Sequence, residues 1–178
     1  MKTQAINNPL ELLPYLKNPL HRIFYVLGLK TGFRVSELLS LEVRDVYLST
    51  GEVRLNITVE RKNMKGQTVS RTVPLSPTSR DLIKAQGIPE RFNFEQSKLF
   101  PFKRIAAHRF LDKARRDAGW EQRVACHSMR KTFAARVFEL SDKDLHVTQK
   151  ALGHASIDST IRYLEVDQEK LMEVFDKL

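Results

Sequence analysis

VRLNITVERKNMKGQTVSRTVPL, residues 53 to 75, carries the first clear change of rhythm in the chain. Val53, Leu55, Ile57 and Val59 alternate with Arg54, Asn56, Thr58 and Glu60. That period of two marks a strand with one buried face. Arg61 to Gln67 reads as a polar turn and Thr68 to Leu75 as the returning strand. With residues 43 to 48 placed ahead of them as a first strand, the stretch predicts a small antiparallel sheet of three strands.

On both sides of the sheet the rhythm is helical. Upstream, Asn18-Pro19 is a cap followed by proline at the first helical position, and Leu20, Ile23, Phe24 and Leu27 then share one face. This helix should stop at Gly32, and a short helix carrying Glu37, Leu38 and Leu41 should follow. Downstream, Ser76-Pro77 opens another helix, and the chain from about Lys103 onward is helical again. There Met129, Phe133, Val137 and Leu140 form one apolar stripe, and Leu171, Val174, Phe175 and Leu178 another. The predicted fold class is α+β, mostly α. Residues 1–178 read as one domain, with a core to residue 164 and a tail helix over 165–178.

Composition narrows the partners. The 178 residues are 42% hydrophobic and 29% charged, ordinary for a globular protein, but 30 Lys and Arg face 21 Asp and Glu. The net charge of +9 favours a polyanion, with nucleic acid ahead of an acidic membrane surface. No long apolar stretch or basic amphipathic helix supports the membrane, and no signal sequence opens the chain, so an intracellular, cytoplasmic protein is expected. Residues 165–178 hold five acids and two lysines, which leaves the tail at −3 and the rest at +12. The tail therefore stands apart from any polyanion-binding surface. A single cysteine, Cys126, excludes an internal disulfide and a Cys-rich zinc site. Its neighbour His127 does not make it a nucleophile, because adjacent residues rarely point at each other; a packed thiol is the expectation.

Four pieces can carry chemistry. In TGFRVSELLSL, residues 31–41, Arg34 follows a glycine turn at the mouth of a helix; an arginine fixed there suits bidentate phosphate binding, and Glu37 either orients it or is a surface acid. At the hairpin tip, Lys62 and Lys65 could reach a phosphate or donate a proton, or merely add charge. In HSMRKTF, residues 127–133, His127 and Arg130 share a face near a helix N-terminus, where free amides favour anions. In LGHASIDSTIRYL, residues 152–164, His154 and Tyr163 lie nine residues apart across a loop and a new helix.

Taken in order, these pieces resemble the tyrosine recombinases, the phage-integrase family of site-specific DNA recombinases. The resemblance runs from about residue 9 to residue 164 and includes both arginine boxes and the histidine–tyrosine segment. Two departures stand out. Members usually carry an N-terminal helical domain that clamps the other face of the DNA, and nothing in this sequence corresponds to it. The second box also has Lys131 where many members have histidine.

The resemblance implies a mechanism. Tyr163 would attack a DNA phosphodiester to give a 3′-phosphotyrosine and a free 5′-hydroxyl, conserving bond energy so that rejoining needs no ATP. Arg34 and Arg130 would clamp the charged phosphate, His154 would add a hydrogen bond, and His127 would manage the tyrosine proton. A hairpin lysine would protonate the leaving oxygen; the family spacing to Pro74 favours Lys65, with Lys62 as the alternative. No cofactor or metal is expected, since side chains supply the clamp. The implied partners are double-stranded DNA and further copies of the chain, as a tetramer in a synaptic complex. After the nucleophile, the tail either folds back or packs on a neighbouring protomer, and exchange between protomers is the expectation. A type IB topoisomerase or a telomere resolvase would share much of this chemistry. A DNA-binding module without catalysis would have no use for six intact candidate positions. An RNA-binding protein would be expected to show exposed aromatic motifs that are missing.

Overall fold

A computed structural model describes residues 4–60, 70–87 and 97–164. The chain divides into two compact units, residues 1–133 and 134–178, with the boundary inside one helix.

In the first unit a 3-10 helix, Pro9–Tyr15, leads into α1, Pro19–Thr31. Asn18 caps α1 as expected: its side chain accepts from the Leu20 N–H at 2.8 Å, one of the amides that a helix start leaves unsatisfied. Gly32 ends it in the left-handed conformation, φ 59°. Seven consecutive residues of α1, Ile23 to Leu29, are buried, which makes it the axis of the core. Gly28 eases the packing there: a Cβ on it would lie 2.7 Å from the Met129 sulfur, so the Met129 side chain would have to shift. At one end of α1, Phe24 meets Phe100, Phe102 and Phe110 edge-on, and His21 stacks on Phe110 with ring centroids 3.7 Å apart.

A short α2, Val35–Ser40, follows the glycine turn, and α3, Val43–Val46, follows it in turn. The latter corrects the expected first strand over residues 43–48. The Asp45 carboxylate accepts from the Glu42 N–H at 2.8 Å, which closes a helical turn, and Val43 and Val46, three apart, are both buried. Only Tyr47 pairs as a strand would, in an isolated bridge to Val53. Among the described residues the sheet therefore has two antiparallel strands, β1 (Asn56–Val59) and β2 (Arg71–Pro74), with Ile57 opposite Val73 and Thr58 opposite Thr72. Leu55 also departs from the alternation: it is 63% exposed. Inward from the sheet point Ile57, Val59, Val73 and, unexpectedly for its charge, Arg71.

Ser76 caps α4, Pro77–Lys84, through the Ser79 N–H. Two longer helices follow, α5 (Arg104–Asp117) and α6 (Cys126–Leu140), the latter containing the unit boundary. Cys126 is buried in the core cluster. Leu140, expected at the end of the α6 stripe, is exposed.

In the second unit, Asp144 caps α7, Leu145–Leu152, by accepting from the N–H groups of His146 and Val147. Gly153, at φ 63°, turns the chain out of α7, and α8, Ile157–Leu164, packs against α7. The predicted tail helix lies outside the described residues.

Candidate active site

The last carbonyls of α1 have no partners within the helix and carry the negative end of its dipole. Guanidinium groups from distant parts of the sequence meet them. The Arg71 Nη2 donates to the Thr31 carbonyl at 2.8 Å, and the Arg130 Nη1 donates to the Gly32 carbonyl. Residues of the second box and the return strand thus hold the turn of the first box. Phe33, inside that turn, has the Arg71 guanidinium 4.9 Å from its ring centroid.

Arg34 leaves this turn as the residue before α2. Glu37, one helical turn on and 1% exposed, fixes it twice: it accepts from the Arg34 backbone N–H and from Nη1, each at 2.8 Å. Of the two readings open in the sequence, orienting acid or surface acid, Glu37 is therefore the first. Its second oxygen also lies 3.5 Å from Arg71 Nη1. The Arg34 side chain remains 33% exposed, while Arg130 is 2% exposed. Two guanidiniums, those of Arg34 and Arg71, thus share one carboxylate, and the Arg130 charge acts on Arg71 as well. Burial, then the Arg130 charge, pushes Arg71 below the ordinary guanidinium range, against the pull of Glu37.

His127 occupies the first turn of α6 and is exposed. Ser128 braces the approach to this turn, accepting from the Ala125 N–H at 3.2 Å. Desolvation, then the cations Arg104 and Arg130, His108 and Lys131, hold the His127 ring below the usual imidazole value. Arg104 also donates to His108 Nε2 at 3.5 Å. Next door, burial raises the Cys126 thiol to about 12, which removes it from nucleophilic chemistry at neutral pH.

In the second unit His154 directly follows the Gly153 turn. Its Nδ1 is 3.0 Å from the hydroxyl of Thr160, which is fully buried. A hydroxyl that donates to Nδ1 leaves the proton on Nε2 and makes that nitrogen a donor. The His154 and Tyr163 rings meet edge-on, centroids 5.5 Å apart. The nine-residue spacing thus places the two side chains in contact. Lys62 and Lys65 lie outside the described residues.

Two residues escaped the sequence reading. Arg71 lies in the predicted return strand without being singled out there, although it falls in phase with Val73 and Leu75 on the inward face. Thr160 sits three residues before Tyr163, and nothing in its type marks it.

A family model described as the phage integrase family matches residues 8–170. The chain belongs to the phage integrase family. Among its relatives is the tyrosine recombinase XerC of Thermodesulfovibrio yellowstonii, 30% identical over 160 residues, an alignment that covers 83% of this chain and 50% of the relative. The chain spans about half the length of such curated relatives. The crystal structure of XerA recombinase superposes with a TM-score of 0.74 at 21% identity, covering 99% of this chain and 65% of that one. XerH site-specific recombinase bound to its difH substrate superposes with a TM-score of 0.69 at 23% identity, covering 97% of this chain and 53% of that one. At these identities the superpositions speak for the fold.

Proposed function

We propose that the chain is the strand-cleaving and strand-joining part of a site-specific DNA recombinase. One observation carries the proposal: arginines from two sequence boxes are fixed about the same Thr31–Arg34 turn, one of them held by a buried carboxylate. Family membership and the recombinase relatives support it.

The chemistry follows from the phosphodiester. When the Tyr163 oxygen attacks phosphorus, the non-bridging oxygens gain charge. Preorganised donors stabilise that charge, each worth roughly 10²- to 10³-fold in rate by analogy with oxyanion-hole donors. Arg34 and Arg130 are those donors, and His154 adds a hydrogen bond through Nε2. His127, kept neutral by its surroundings, accepts the tyrosine proton. A 3′-phosphotyrosine forms as the bond to the 5′-oxygen breaks, and a lysine protonates that oxygen, Lys65 before Lys62. Rejoining runs the same steps backward with a 5′-hydroxyl of the same or another strand. Double-stranded DNA is the substrate, and paired sites call for several protomers.

The test is a pool of nicked duplexes with a randomised centre, in which cleavage releases a short fragment and traps the covalent adduct. Wild-type protein should give an adduct on a denaturing gel. Tyr163→Phe should give none, with DNA affinity changed less than about threefold, because one hydroxyl adds little to ground-state binding. An adduct from the Phe variant would move the nucleophile elsewhere.

A further inference from the structure

The inward position of β2 held by Arg71 sits in an apolar row with Val73 and Leu75. A valine or leucine would fill it at no electrostatic cost. Instead a guanidinium is 7% exposed, and burying a charge is costly unless its partners are well placed. Those partners are specific. One arm of the fork reaches the Thr31 carbonyl at the end of α1, the other faces Glu37, and the plane lies over Phe33. These three contacts fall on the segment that presents Arg34, and none of them is needed to pair β2 with β1, which uses backbone groups.

We propose that Arg71 is a positioning residue for strand cleavage, acting through Glu37 to hold Arg34 toward the phosphate. The inference rests on the recombinase reading. Two effects combine. Arg71 faces the Glu37 oxygen that accepts from the Arg34 backbone N–H, and so helps hold the carboxylate in the one geometry in which its other oxygen meets the Arg34 guanidinium. It also balances the Glu37 charge from within, so the Arg34 cation is not cancelled by its own orienting acid and stays available to the substrate. A lysine can supply the charge but not the planar fork that reaches a carbonyl and a carboxylate together.

The experiment uses the full chain and a nicked duplex recovered from the adduct pool, with single-turnover cleavage measured at saturating DNA. Arg71→Gln should cleave about 10²-fold more slowly, the scale of loss for misplaced catalytic groups, with DNA affinity altered only a few-fold. Arg71→Lys should fall between, about tenfold slower than wild type. Glu37→Gln should also be slow, and the double variant no slower than the slower single one, because both act on Arg34 through one chain of contacts. A role confined to stability would lower the unfolding midpoint, leave cleavage per folded molecule unchanged, and overturn the proposal. Losses that multiply in the double variant would also overturn it. If Arg71→Gln does not fold, Arg71→Lys decides alone, and wild-type cleavage by it defeats the idea. Absence of any adduct from the wild-type protein would defeat the recombinase reading and this inference with it. An active wild type with unimpaired Arg71 variants would defeat this inference alone.

Discussion

His127 shows how much a single side chain owes to its surroundings. Desolvation and then the charge of Arg104 lower its pKa from 6.5, so the ring stays neutral to lower pH than a free imidazole does. A base must be unprotonated to accept a proton, so the second-order rate of adduct formation should decline only as pH falls below the ordinary imidazole value. Arg104→Gln removes one repelling cation, and that acidic limb should then move to higher pH. A limb that stays in place would separate Arg104 from the proton transfer. The lowered value follows from a neighbourhood assembled between α5 and α6, which motif spacing does not disclose. Arg34, His127, Arg130, His154 and Tyr163 stand out as candidates because their boxes are local in sequence. Arg71 does not, because its meaning comes from Thr31, forty positions away, and from Glu37.

Among elements, the glycine turn between α1 and α2 is the most exacting. Gly32 holds a left-handed φ of 59°, and a Cβ there would run into the Phe133 ring. Gly32→Ala should cost about 1–2 kcal/mol for the backbone and about 1–3 kcal/mol for overpacking. It should also disturb the carbonyl that receives Arg130. A urea midpoint equal to that of the wild type would show that the turn tolerates a side chain. Stops and starts of this kind were legible: Asn18-Pro19, Gly32 and Ser76-Pro77 act through local hydrogen bonds and fixed dihedrals. The extra strand over 43–48 was misread because Val43 and Val46 fit a helical turn once Asp45 reaches back to Glu42. Period-two reasoning had no access to that bond. Leu55 shows the same limit, since its exposure depends on what lies over the strand and not on its place in the alternation.

At the scale of the whole molecule, charge is divided between the basic body and the acidic tail of residues 165–178. The apolar stripe predicted for the tail would need a partner, and we propose that it lies on a neighbouring protomer. Deleting residues 168–178 should leave a folded protein that binds single DNA sites but no longer assembles cooperatively on paired ones, as read by sedimentation. Unchanged assembly would return the tail to its own chain. The protein also carries a reporter of its own opening. Its single cysteine is buried in the core of the first unit, at the start of the helix that bears His127 and Arg130. With the thiol pushed up to about 12, alkylating reagents find almost no thiolate while that turn is closed. Alkylation of Cys126 should therefore report on openings that expose the first turn of α6, the helix that bears His127 and Arg130.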